Sequence, residues 1–97
     1  MQKTIVIPHA HPSLPGHFPG DPVVPGAVLL DEVIHALAEQ RPDTLRVTGI
    51  VSAKFTVPLR PGEECLIQFT PGAGVVKFAC FALGRLVASG SIAYSTT

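Results

Sequence analysis

Three residues that together can move a proton beside a carbonyl lie close together in this chain: His17, Gly26 and Asp31, the aspartate fourteen residues after the histidine. An imidazole with an unperturbed pKa of about 6.5 is neutral enough near pH 7 to act as a general base. Gly26 opens an apolar stretch. A glycine there leaves backbone N–H groups uncovered at the positive end of a helix dipole, suited to a carbonyl oxygen or an anion, and lets a ligand approach closely. Asp31 has mostly apolar neighbours, where a carboxylate costs stability unless it is paired or used. The plainer account of the same residues is a surface histidine, a helix that merely starts at Pro25-Gly26, and an aspartate that caps or salt-bridges locally. On spacing alone the two accounts stand even.

The elements that must position these groups are legible. His17 sits within Gly16-His17-Phe18-Pro19-Gly20-Asp21-Pro22-Val23-Val24-Pro25-Gly26, part of a stretch that also holds Pro8, Pro12 and Pro15. So many prolines remove backbone freedom, and a connection this long in a small protein is unusual unless it holds something in place. From Ala27 to Gln40 the pattern is helical, stopped by Arg41-Pro42. Apolar residues at 27, 28, 29, 30, 33, 34, 36, 37 and 38 nearly encircle the axis, which predicts a helix buried on most sides by a surrounding sheet.

Thr4 to Ile7 reads as a first strand at or near an edge, ended by Pro8. Everything after Asp43 reads as strand and turn. A long run from Arg46 to Val57 carries Gly49 where a bulge or close packing can bend it, and Pro58 to Gly62 closes it. Cys65, Ile67 and Phe69 alternate, residues 71–74 turn, and Val76, Phe78, Cys80 and Ala82 share a face. A hairpin at Leu83-Gly84-Arg85 then leads into a last strand from Leu86 to Ser95. The order is strand, loop, helix, four strands, read as a single domain over residues 1–97.

Composition narrows the function classes. Seven Lys plus Arg balance seven Asp plus Glu, and no basic cluster occurs, which argues against nucleic acid. Hydrophobic residues make up 46% and charged residues only 14%, below the usual quarter or so, which suggests an apolar surface covered by a partner subunit. The start is too short in apolar residues for a signal segment and no run approaches a membrane span, so no membrane role is expected and a cytoplasmic location is. Cys65 and Cys80 each sit in strand-like apolar surroundings, favouring two buried thiols over a disulfide.

Other signals are weaker. His9 and His11 with His17 lack a fourth metal ligand nearby, Gly72-x-Gly74 precedes a strand rather than a helix, and Ser89-Gly90-Ser91 lies inside a strand pattern. Arg41, Arg46, Lys54, Arg60 and Arg85 read as scattered solvated charges, with contacts to an acidic partner protein as the alternative.

The run His17-Phe18-Pro19-Gly20-Asp21-Pro22-Val23-Val24-Pro25-Gly26 with Asp31 resembles the signature of the β-hydroxyacyl-acyl-carrier-protein dehydratases of fatty acid synthesis. Aspartate at 31 resembles the branch that also isomerises the double bond. Ala53-Lys54-Phe55-Thr56-Val57-Pro58-Leu59-Arg60-Pro61-Gly62-Glu63 is similar to a second run of that family, so the likeness covers most of the chain from Gly16 onward.

The resemblance implies a hot-dog fold, an antiparallel sheet wrapped around one long helix, and a homodimer or dimer-based oligomer with the histidine of one chain facing the carboxylate of the other. It implies dehydration of β-hydroxyacyl thioesters on acyl carrier protein to trans-2-enoyl thioesters, with neither cofactor nor metal. His17 would be the base, Gly26 N–H the donor to the thioester carbonyl, Asp31 the acid, and the Val23 carbonyl the group orienting the imidazole.

This chain departs from the pattern at two helix positions. His35, one turn after Asp31, stands where the family has glutamine, and a His35–Asp31 pair would either hold the acid ionised or tune it. Glu32 stands where a small residue is expected. The shorter N-terminal part predicts a trimmed acyl tunnel and fits an accessory pathway such as polyene or polyketide synthesis. The rival readings are a hot-dog thioesterase and a catalytically silent acyl-carrier-binding subunit.

Overall fold

A computed structural model describes residues 1–8, 23–40 and 45–96 of the chain. His9, His11 and His17, and the proline-rich segment 9–22 that carries them, lie outside the described residues. The elements are β1 (Gln2–Val6), α1 (Gly26–Gln40), β2 (Leu45–Phe55), β3 (Glu64–Pro71), β4 (Val75–Ala82) and β5 (Arg85–Thr96). The five strands form one antiparallel sheet in the order β1-β3-β4-β5-β2.

Period-two burial sets the register. Cys65, Ile67 and Phe69 on β3 and Val76, Phe78, Cys80 and Ala82 on β4 are all buried, while Gln68, Thr70 and Lys77 between them are exposed. A slip of one residue would exchange the two sets, so the pairing of Ile67 with Cys80 and Phe69 with Phe78 is strongly specified. The β4–β5 hairpin turns on Leu83 and Gly84, at φ 51° and 73°, the two left-handed positions that a two-residue turn matching the strand twist requires. Between β2 and β3, Pro61 and Gly62 (φ 85°) make a type II turn in which Glu63 N–H donates to the Arg60 carbonyl at 3.2 Å.

The helix buries Leu29, Val33, Ala36 and Leu37 against the sheet, a single stripe at helical spacing. The expectation of a helix buried on most sides is therefore corrected for the protomer. Ala27, Asp31, His35 and Ala38 are exposed, because one sheet covers only one side of a helix.

The helix crosses the sheet from edge to edge. Its C-terminal end is tied to β1, where Gln40 Nε2 donates to the Gln2 carbonyl at 3.2 Å and Lys3 Nζ lies 3.9 Å from Glu39 Oε2. Its N-terminal end lies beside the end of β2, where Val24 N–H donates to the Leu59 carbonyl at 2.8 Å.

Strand β2 is the other edge. Its register with β5 shifts between Val47 and Gly49 and again between Ile50 and Ser52. A Cβ at Gly49 would meet nothing within 4 Å, so this glycine marks a bulge rather than close packing. Close packing occurs instead at Gly90 on β5, where a Cβ would collide with the Ser52 carbonyl and approach the Phe78 ring at 2.9 Å. Ile50, Val51 and Phe55 are 44%, 64% and 49% exposed, an apolar edge that has no covering strand among the described residues.

Candidate active site

The helix start is held from two directions. The Pro25 carbonyl accepts from Val28 N–H at 3.0 Å and Leu29 N–H at 3.2 Å, which closes the first turn. The N–H groups of Gly26 and Ala27 precede any intrahelical acceptor, and none is paired among the described residues. One residue earlier, the bond from Val24 N–H to Leu59 fixes the peptide plane between Val23 and Val24. In a trans peptide the carbonyl points opposite to the N–H, so the Val23 carbonyl is directed away from Leu59.

Beside this helix start lies a cavity of about 380 Å³ whose walls include Val23, Val24, Gly26 and Leu29 on one side and Phe55, Leu59 and Val87 on the other. Among the described lining residues Thr56 carries the one polar side chain, and its backbone N–H donates to the Val87 carbonyl at 2.8 Å. The described walls thus make an apolar slot with a helix start and its dipole end at the rim, where no described residue pairs the Gly26 N–H, an arrangement suited to a hydrocarbon chain ending in a polarised carbonyl.

Asp31 is not in that slot. Two residues on from Leu29 places it about 200° around the helix, on the outer face. There it is exposed and borders a shallow depression with Glu32, Ile34, His35 and Ala38. Within one protomer the structure therefore brings Val23 and Gly26 together and places Asp31 elsewhere.

The His35–Asp31 pair that the spacing allows is not formed. His35 Nε2 lies 3.2 Å from Glu39 Oε1, one turn in the other direction. Glu39 stands between two donors, His35 and Lys3, and takes both. The His35 side chain is 73% exposed, so the contact is screened by water and leaves Asp31 untouched.

The two cysteines are free and buried, as their surroundings predict. The Cys80 thiol donates to the Cys65 sulfur, and this contact, with burial, pushes Cys80 far above the ordinary thiol range. Among the described residues no group of three or more His, Cys, Asp or Glu is arranged to hold a metal ion, and no helix is long and apolar enough to cross a membrane.

Comparison with known proteins places this architecture. The family model for ApeI-like proteins, described as ApeI dehydratase, matches residues 1–91. The chain belongs to the ApeI-like dehydratase family. Among curated relatives of this ApeI-like chain, the 3-hydroxyacyl-[acyl-carrier-protein] dehydratase FabZ of Polaromonas sp. is 35% identical over 80 residues, covering 69% of this chain and 55% of the relative. That of Acetivibrio thermocellus is 29% identical over 96 residues, covering 87% of this chain and 66% of the relative. The chain thus spans about 55–66% of the length of these two relatives.

A chain of the dehydratase heterocomplex ApeI:P from Xenorhabdus doucetiae superimposes with a TM-score of 0.79 at 22% identity, covering 97% of this chain and 85% of that one. An uncharacterized protein from Erwinia carotovora subsp. atroseptica gives 0.81 at 24% identity, covering 98% and 82%. Together with one helix laid across a five-stranded antiparallel sheet, these likenesses identify the hot-dog fold expected from the sequence.

Sequence reasoning singled out the two runs that supply most of the slot's described walls, residues 23–26 and 55–59, but did not bring them together, and it missed Leu29 and Val87 as walls. Their convergence depends on the sheet order.

Proposed function

We propose that this chain dehydrates β-hydroxyacyl groups carried as thioesters on acyl carrier protein, giving trans-2-enoyl thioesters, as a single cytoplasmic domain that works in a homodimer. The observation that carries this reading is the separation of the helix-start slot from Asp31 on opposite faces of one helix. A site that uses both needs two copies, and the helix start lies at the open, apolar β2 edge where a second copy would pair.

In this mechanism the thioester carbonyl accepts from Gly26 N–H while the acyl chain lies in the slot. His17, oriented by the Val23 carbonyl, removes a proton from the carbon next to the carbonyl, and negative charge gathers on the carbonyl oxygen held by Gly26. Asp31 of the partner subunit delivers a proton to the β-hydroxyl. The carbon–oxygen bond breaks, the double bond forms, and water leaves. The thioester stays intact, so no cofactor or metal enters. The contact of His35 with Glu39 supports a working acid, since His35 does not draw on Asp31.

The test is subunit complementation, read by mass spectrometry of β-hydroxyacyl carrier substrates of several lengths. His17→Ala and Asp31→Asn are each expected to lower dehydration by about 10²–10⁴-fold. Mixing and refolding the two restores it, because the mixed dimer holds one site with both groups. Near-wild-type activity in either single variant, or no gain in the mixture, refutes the shared site. Release of free thiol would mark hydrolysis instead, and carrier binding without turnover would mark a silent subunit. A second assembly, with a different hot-dog subunit as partner, is motivated by the structural neighbour that belongs to a heterocomplex. A purified chain that stays monomeric would select it.

A further inference from the structure

We propose that Phe55 sets the width of the acyl slot beside the reacting carbonyl, admitting acyl groups unbranched at the carbon next to the carbonyl and excluding those that carry a methyl there. This rests on the reading of Gly26 N–H as the donor to that carbonyl.

The argument is one of distances. A Cβ built on Gly26 would lie 2.8 Å from Phe55 Cζ and 3.1 Å from Cε1 and Cε2, so the tip of the ring is pressed against the backbone of the donor residue. An oxygen accepting from that N–H lies about 2.9 Å from the nitrogen. The carbonyl carbon and its neighbouring carbon follow one and two bonds further on. Any substituent on that neighbouring carbon is therefore among the first parts of a ligand that the ring meets. The rest of the chain lies further into the slot.

Three of the described walls facing the chain are fixed. Leu29, Leu59 and Val87 are each 2% exposed and belong to the packed core, where displacement is resisted by every neighbour. Phe55 is 49% exposed and ends an edge strand, so it is the wall whose size can change without opening the core. A branched substrate still has one proton on the reacting carbon. The base takes it, the double bond forms and water leaves as for the unbranched one, so the exclusion is steric rather than chemical.

The experiment compares the wild type with Phe55→Ala and Phe55→Leu on 3-hydroxybutyryl-pantetheine and its 2-methyl counterpart. The wild type is expected to favour the unbranched substrate in kcat/KM by about 10-fold or more, the range one methylene commands in an apolar pocket. Phe55→Ala narrows that ratio by about 10-fold, chiefly by raising the branched rate, and Phe55→Leu falls between. The same ratio is measured by calorimetric titration with the amide analogues butyryl- and 2-methylbutyryl-aminopantetheine, which lack a β-hydroxyl and cannot react. Thermal denaturation verifies folding, and Phe55→Leu, which keeps an apolar side chain, decides the question if Phe55→Ala does not fold. An unchanged ratio in both turnover and binding overturns the proposal, as does failure of the wild type to bind either analogue. Absence of turnover with a binding ratio that still narrows overturns the proposed reaction and leaves the role of Phe55 standing.

Discussion

The contact between Gly26 and Phe55 can be tested without reference to catalysis, through the stability of Gly26→Ala. The new methyl would sit 2.8 Å from Phe55 Cζ and 3.1 Å from two further ring carbons. Carbon atoms rest comfortably at about 3.5–4.0 Å, so the ring must withdraw by roughly 1 Å. Because Phe55 is half-exposed it can do so without moving the core, which puts the cost at the low end of the roughly 1–3 kcal/mol that overpacking exacts. Gly26 is not among the residues of positive φ, so alanine fits the backbone, and because the position opens the helix it returns at most about 0.5 kcal/mol of helix preference.

The net effect expected for Gly26→Ala alone is a loss of about 1 kcal/mol. In a Phe55→Ala background the clash is gone, and the same substitution becomes neutral or stabilising by about 0.5 kcal/mol. The coupling between the two positions is then about 1–1.5 kcal/mol, well above the roughly 0.5 kcal/mol within which independent sites add. Urea denaturation of the four proteins, followed by circular dichroism, measures it. Additive effects would show that the ring does not press on the helix start, and the steric role given to Phe55 would fall with them.

Gly90→Ala sets the opposite limit. Its methyl meets a backbone carbonyl of the neighbouring strand and the buried Phe78 ring, neither of which can turn away, so a loss of about 3 kcal/mol or more is expected in the same assay, and less than about 1 would refute the packing argument. Asp31→Asn, at an exposed position, should change stability by no more than about 0.5 kcal/mol while dehydration falls about 10²–10⁴-fold; a large stability loss would make the carboxylate structural. Both cysteines should react with an aromatic disulfide reagent after unfolding without reductant and neither in the native state. Because its raised pKa keeps Cys80 protonated, raising the pH to 9 should not make it reactive in the folded protein, and rapid native labelling there would contradict the buried pair.

Much of this molecule could be read from side-chain periodicity because two of its inner strands, β3 and β4, obey one rule. In β3 and β4 every second residue is buried, and the turns between strands carry glycine where the backbone goes left-handed, as at Gly62 and Gly84. The order of elements and the two buried thiols follow from that. Pro8 marked β1 as an edge, as the sheet order shows, but nothing in the pattern revealed β2 as the other. The sheet order β1-β3-β4-β5-β2 leaves β2 uncovered, and its exposed Ile50 and Val51 look in sequence like any core strand. The helix was misjudged for the same reason. Its apolar residues do nearly encircle the axis, but a protomer offers one sheet, so Ala27 and Ala38 stay exposed. The resemblance carried by the His17 segment pointed to the family, yet which carboxylate His35 meets, Glu39 rather than Asp31, is a pairwise detail that spacing alone leaves open, since both lie one helical turn away.

The exposed apolar helix positions, the uncovered β2 edge and the placement of Asp31 have a common geometric origin. A helix crossing the sheet from the β1 edge to the β2 edge must end its N-terminal turn at an open boundary, and there Gly26 offers its N–H. Groups needed on both sides of a substrate carbon cannot both come from one face of one helix. About 200° separates Asp31 from the slot-lining Leu29, and no side-chain rotation spans that angle across the helix body. If the family's chemistry operates in this chain, the boundary at β2 therefore has to be closed by another hot-dog surface before any turnover occurs. The apolar surplus in the composition is then the material of that closure. On this reasoning, catalysis and assembly have a single concentration dependence, and a variant that weakens pairing at β2 loses activity on dilution while each protomer remains folded.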